Sequence, residues 1–466
     1  MKSRIRVLLL ALAFFVAIPA SGQTGLSASA HAATGDAPTS TPIKHFIFLM
    51  QENHSFDNYF GTYPGADGPP PGTCIPVDPT RPGGRCVEPF RVGGRAITDL
   101  GHSRLVHDEQ FRGGQMDGFV AAAGLVGSEN GRIAMGYYDD RDIPFYWNVA
   151  DEYVLFDRLF TSAAGGSVAN HMYWITGQSG NLSGETIPPG GFTNIPTIFD
   201  RLDAAGVSWK FYIQNYDPAI TFRNPGTGDR QSQIVWAPLL AYPRYLDNPR
   251  LKSRIVDTEQ FHDDLANGTL PEVAYMVPAG SSEHPPGIPR EGQRFVRNLI
   301  NALMRSNYWS TSAFMWAYDD WGGWYDHVPP PRVDESGYGF RTPALLVSPY
   351  ARRGHIDSTT LDFTSALKFI EDNWGVEPLA KRDRAAKSIA GAFDFTKPPR
   401  PAVLLPGQRA TAEVVAPHRK GAVYPMYLMA LVVALVMFAA ARWNLGLGEL
   451  RGRLGRLRLR AKREGS

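Results

Sequence analysis

The chain is 466 residues long and 12% aromatic, with 47 glycines and 37 prolines. That leaves room for one large domain or two ordinary ones, and the mix suits a loop-rich α/β enzyme rather than a helical bundle or a repeat protein. The formal charge is only +2 but unevenly spread: Lys2, Arg4 and Arg6 open the chain, residues 442–466 carry +6, and the middle holds about −7, which disfavours nucleic acid as a partner.

Residues 1–32 read as a secretory signal. Lys2, Arg4 and Arg6 form its charged region and residues 7–18 its apolar core. Small-residue cleavage sites follow at Ala28-Ser29-Ala30 or Ala30-His31-Ala32. An uncleaved anchor is the other reading, but the apolar run is short for a span. Residues 33–42 are small and Pro-containing, as in a linker.

The apolar run 43–50 predicts a buried strand. It leads straight into Gln51, Glu52, Asn53, His54 and Ser55, so a carboxylate, an amide, an imidazole and a hydroxyl gather at a strand end. Residues 61–95 are rich in Gly and Pro and predict loop. Within them Cys74 and Cys86, the only two cysteines, flank CIPVDPTRPGGRC. An even number after a secretory signal points to a disulfide that ties down one surface loop. A metal pair is the weaker reading, because no further Cys completes a soft site.

His102 and His107 lie in DLGHSRLVHDEQF. Residues 161–177, TSAAGGSVANHMYWITG, put two glycines before Ser167 and a helical pattern after it. That describes a sharp turn presenting a hydroxyl near a helix N-terminus, a place that favours phosphate. A serine there can attack phosphorus if a metal lowers its pKa; it can equally be a helix cap.

Apolar residues at helical spacing predict helices over 195–205, 291–304 and 363–373, the last framed by Asp362 and Gly375 as caps. Strands are predicted at 207–213, 272–277, 311–318 and 344–347. Such alternation implies a mostly parallel sheet covered on both faces, with sites beyond the carboxyl ends of its strands. The 311–318 strand ends in Asp319-Asp320. Adjacent carboxylates are costly unless a cation neutralises them. If both strand ends share a sheet, Glu52, Asn53, Asp319 and Asp320 converge on one hard metal ion; turn formation and capping are the alternative uses. His284 sits in SSEHPPG. Imidazolium groups bind phosphoryl oxygens or protonate a leaving oxygen, but spacing does not choose among His54, His102, His107, His171, His284 and His327. Trp309, Trp316, Trp321, Trp324 and Tyr325 line a lipid-accepting cleft or pack the core.

Residues 397–422 are Pro-rich, as in a stalk. Residues 423–441 are uncharged and long enough to cross a bilayer, with Tyr424, Tyr427 and Trp443 near the ends. The basic residues 442–466 then predict a cytoplasmic tail near anionic lipid. The expectation is a single-pass cell-membrane protein whose domain, residues 43–396, is extracellular.

Four stretches, QENHSFDNYFGTYPG, DLGHSRLVHDEQFRGGQMDGF, SSEHPPG and AYDDWGGWYDHVPPP, resemble the bacterial phosphoesterases that include the phospholipases C and a related acid phosphatase. The likeness covers residues 43–374. It implies an alkaline-phosphatase-like α/β fold with a central, mostly parallel sheet flanked by helices. It also implies one divalent metal ion (Mg, Mn, Ca or Zn), held by Glu52, Asn53, Asp319, Asp320 and Ser167. Ser167 matches the nucleophile of a phosphoserine mechanism, and Asn170 the Asn three positions on. His102 and His284 match the histidines that hold the phosphoryl group, and Asp326 and His327 match a supporting D-H-V. Two departures stand out: the second acidic pair is Asp-Asp where the family has Asp-Glu, and residues 165–170 lack both prolines of G-P-[ST]-x-P-N. The implied activity is metal-dependent phosphodiester hydrolysis of phospholipase C type. A phosphatase acting on monoesters and a non-catalytic membrane-anchored binding protein are the alternatives.

Overall fold

The computed structural model describes residues 37–409, apart from 95, 124–130, 181–185, 228–231 and 335. Eight strands form one sheet: β1 (His45–Gln51), β2 (Val154–Phe156), β3 (Trp209–Ile213), β4 (Ile255–Asp257), β5 (Val273–Val277), β6 (Ser312–Tyr318), β7 (Ala344–Val347) and β8 (His355–Asp357). Their spatial order is β8-β2-β7-β6-β1-β5-β3-β4. Every pairing is parallel except the two made by β7, which runs against its neighbours β6 and β2. The sheet is thus the mostly parallel one the sequence predicts.

β1 lies at the centre. All its residues are buried, as expected of a strand covered on both faces. Its register with β6 pairs Gln51 with Tyr318, so Glu52 and Asp319 leave the sheet at the same level. Asp319 N donates to Gln51 O at 3.1 Å, carrying the pairing one residue further.

The helices include α1 (Phe56–Phe60), α2 (Arg104–Phe111), α3 (Pro144–Glu152), α4 (Ser167–Thr176), α5 (Pro289–Arg305) and α6 (Phe363–Trp374). Asp362 and Gly375 (φ 65°) frame α6 as predicted. Trp309, Trp316, Trp321 and Trp324 are buried and pack the core, while Tyr325, also mostly buried, borders a surface cavity with Asp57, Thr62 and Tyr137. Cys74 and Cys86 form the expected disulfide, with Cα atoms 5.4 Å apart.

One expectation is corrected. Among the described residues no helix is long and apolar enough to cross a membrane, so the single-pass cell-membrane placement has no support. The proposed span, 423–441, and the signal, 1–32, lie outside the described residues. The start of the Pro-rich stretch lies against the domain: Arg400 Nη1 meets Glu152 Oε1 at 2.8 Å, and Asn148 Nδ2 donates to Pro406 O and Gln408 O at 3.0 Å.

Candidate active site

Beyond the carboxyl ends of β1 and β6 the two polar pairs meet. Asn53 holds a positive φ of 105°, a conformation uncommon outside Gly that Asn tolerates better than most. From it Asn53 Nδ2 donates to Asp320 Oδ1 at 3.0 Å. Asp320 also accepts from Gly322 N at 2.8 Å and from Ser167 Oγ at 3.2 Å. Glu52, Asn53, Asp319 and Asp320 are wholly buried. Burial, and then the charge of Asp320, drive the Asp319 carboxyl well above the usual carboxylate range. Burial also raises Asp320, offset by His102 and the Gly322 N–H.

Ser167 comes in from the other side. Gly165 (φ 104°) and Gly166 (φ 87°) form the turn, and Ser167 is the first residue of α4. No cap bond fixes that helix start; the hydroxyl goes to Asp320 instead. Gly165 packs so closely on α2 that a Cβ there would lie 2.8 Å from the Arg104 backbone. Asn170 braces the same turn: its Oδ1 accepts from Ala163 N at 2.9 Å, and its Nδ2 donates to Ala163 O and Gly166 O at 3.4 Å. Its amide is therefore committed to backbone.

Two histidines stand over the acidic group. His102 Nε2 is 3.8 Å from Asp320 Oδ2, and Nδ1 is 3.4 Å from Asp99 Oδ1. Burial alone would lower its pKa, but Asp320 and Asp99 outweigh it and raise it to about 10, so the ring is cationic. The His284 ring is 5.4 Å away and partly exposed.

Two further residues belong to the site. His171 Nε2 lies 3.1 Å from Glu52 Oε1 and 3.6 Å from Asp319 Oδ2, and burial lowers its pKa to about 3. Glu283, one residue before His284, is fully buried inside three tyrosines. Its Oε2 accepts from Tyr59 at 2.5 Å and Tyr318 at 2.9 Å, and its Oε1 from Tyr146 at 2.5 Å. Burial pushes it up to about 7 against those three donors. Gln51 Oε1 ties the ends together, accepting from Glu52 N and Glu283 N, each at 3.1 Å.

The acidic group fits a cation. Asn53 Oδ1 and both Asp319 carboxylate oxygens are buried with no hydrogen-bond partner, an arrangement that is costly unless something positive sits among them. A second acidic cluster does not call for one. Arg341 is wholly buried there, its Nε 3.0 Å from Asp326 Oδ1 and its Nη2 2.9 Å from Asp57 Oδ1. His327 Nδ1 meets Asp57 Oδ2 at 2.7 Å. Asp326 and His327 therefore brace the loops around α1. His54 is also structural in its contacts, stacking on Tyr59 with ring centroids 4.2 Å apart and touching Asn58 Oδ1 at 2.7 Å. Ser55 caps α1 through Asn58 N and donates to Tyr325 O at 2.6 Å.

The profile described as "Phosphoesterase family" matches residues 43–377. Phospholipase C B of Mycobacterium tuberculosis (strain ATCC 25618 / H37Rv) is 28% identical over 419 residues, covering 78% of this chain and 79% of the relative. Non-hemolytic phospholipase C of Burkholderia pseudomallei (strain K96243) is 28% identical over 455 residues, covering 82% of this chain and 61% of the relative. Among solved structures, a protein in the alkaline phosphatase superfamily from Vibrio parahaemolyticus aligns with a TM-score of 0.35 and 13% identity, covering 78% of this chain and 72% of that one.

Proposed function

The chain belongs to the Phosphoesterase family and is a phosphoric ester hydrolase, and from that premise we propose that it cleaves phosphodiesters as phospholipases C do, through a phosphoserine at Ser167. The observation that carries the reading is the Ser167 hydroxyl, held at a helix start 3.2 Å from Asp320 beside acceptors that have no protein donor. A divalent ion held by Glu52, Asn53, Asp319 and Asp320 next to Ser167 would supply the positive charge that lowers the serine pKa and offsets charge on the phosphoryl group. A donor set of oxygens admits Mg, Mn or Ca, and Zn accepts carboxylates as well.

The residues then divide the work. Ser167 passes its proton to Asp320, and Oγ forms a bond to phosphorus as the bond to the leaving oxygen breaks. His102, cationic because Asp320 and Asp99 face it, donates to an equatorial phosphoryl oxygen. His284, the more accessible of the pair, gives its proton to the leaving oxygen. Water then attacks phosphorus, giving a proton to the His284 ring, and the bond from Oγ to phosphorus breaks as Ser167 takes its proton back from Asp320, which leaves the phosphorylated head group. Asn170 works one step back, holding the turn so that Oγ points at the site.

The test is hydrolysis of p-nitrophenylphosphorylcholine and of p-nitrophenyl phosphate side by side. Release from the diester is expected, with loss on EDTA treatment and on Ser167→Ala while the folded far-UV spectrum persists. Release from the monoester alone would make it a phosphatase. Near-normal activity in Ser167→Ala would show that another group is the nucleophile.

A further inference from the structure

His171 is buried in the acidic group, and the phosphoserine mechanism gives it no task. It sits on α4 one turn after Ser167, so both side chains face the same way. Its Nε2 looks at two oxygens at once, Glu52 Oε1 at 3.1 Å and Asp319 Oδ2 at 3.6 Å. Two donors that each lie about 2.1 Å from one ion are roughly 3.0–3.6 Å apart at ordinary coordination angles, so these spacings fit a shared sphere as well as the hydrogen bond that His171 and Glu52 make at 3.1 Å. The three groups have their ligand atoms within 4.8 Å of one another. The other nitrogen, Nδ1, is buried with no hydrogen-bond partner, so the ring's polar contacts are all made through Nε2. Both Asp319 oxygens are likewise unpartnered, while Asp320 accepts from Asn53, Gly322 and Ser167. One of the acceptors still open toward a cation, Asp319 Oδ2, thus faces His171.

We infer that His171 is itself a ligand, through Nε2, of the cation held by Glu52, Asn53, Asp319 and Asp320, and that the site takes a borderline transition-metal ion such as Zn or Mn rather than Mg or Ca. Imidazole is a poor partner for Mg and Ca, which take oxygen, and a good one for Zn and its neighbours. This rests on the cation reading of the same site and narrows it to a class of ion.

The experiment is binding, not turnover. The full chain is stripped of metal and titrated with Zn²⁺ and with Mg²⁺ in competition with a chelator, for wild type, His171→Gln and His171→Ala. Gln keeps an N–H for Glu52 but is a weak ligand. Zn²⁺ affinity is expected to fall by at least roughly 10–100-fold in both variants, with Mg²⁺ binding weak throughout. X-ray absorption on Zn-loaded wild type should show the outer-shell scattering of a coordinated imidazole, and His171→Gln should lose it. Absence of the scattering in the wild type needs no variant to overturn the proposal, whereas its presence is assigned to His171 rather than to His102 or His284 by its loss in folded His171→Gln. Full Zn²⁺ affinity in His171→Gln, or no imidazole scattering in the wild type, would reduce His171 to a hydrogen-bond brace while the cation reading stood. Failure of the wild type to bind any divalent ion would overturn both.

Discussion

Glu283 touches neither Ser167 nor the two acidic pairs, yet its surroundings tie it to all of them. Tyr318, which donates to it, immediately precedes Asp319, and Gln51, which accepts from its N–H, immediately precedes Glu52. His284 follows it directly. A carboxylate gripped by three hydroxyls fixes the loop that carries His284, and small misplacements of reacting groups reach about 100-fold in rate. Glu283→Gln is expected to lower kcat by roughly 10-fold or more with KM little changed, because an amide offers one acceptor where three donors need two. Tyr146→Phe, on the distant α3, should reproduce part of that loss, and steady-state kinetics at matched thermal stability would separate it from general unfolding. Neither Glu283 nor His171 is legible as such in the sequence. Glu52-Asn53 and Asp319-Asp320 declare themselves because paired acids at a strand end have few structural uses. A single Glu or a single helical His carries no pattern, and the partners are remote in sequence: Tyr59 lies 224 residues from Glu283, and Glu52 lies 119 from His171.

At the level of elements, the nucleophile turn depends on glycine in a way a side chain cannot replace. Gly165→Ala combines a φ of 104° with a Cβ 2.8 Å from the Arg104 backbone. A cost of about 1–3 kcal/mol is expected, with activity falling further than stability because α4 and Ser167 move with the turn. Urea titration and kcat on the same preparation would compare the two. Strand prediction succeeds where apolar runs are long: β1, β3, β5, β6 and β7 all fall within two residues of the expected limits. It misses β2, β4 and β8, each of three residues, because three residues show no period to detect. The reversed direction of β7 is also hidden, since an apolar run reads the same either way.

Across the whole molecule, buried acids set the pH response. Glu371 in α6 is buried and faces Asp383, and burial followed by that neighbour pushes its carboxyl up to about 9. In the unfolded chain it would ionise near its ordinary value of 4.5. The unfolded state therefore binds fewer protons between about pH 4.5 and 9, and stability falls as pH rises through that window. Glu371→Gln should remove this slope, gaining stability over wild type at pH 8 and little at pH 4, as measured by urea denaturation at both.

The central place of β1 also sets an order in time. Its partners are β5 and β6, made more than 220 residues later. At ribosomal speed the strand waits on the order of tens of seconds for both neighbours, its apolar side chains uncovered. Contacts this distant along the chain also form slowly. The catalytic group is therefore among the last parts of the molecule to exist, and a chain halted after Arg305, before β6 is made, should remain protease-sensitive and bound by chaperones.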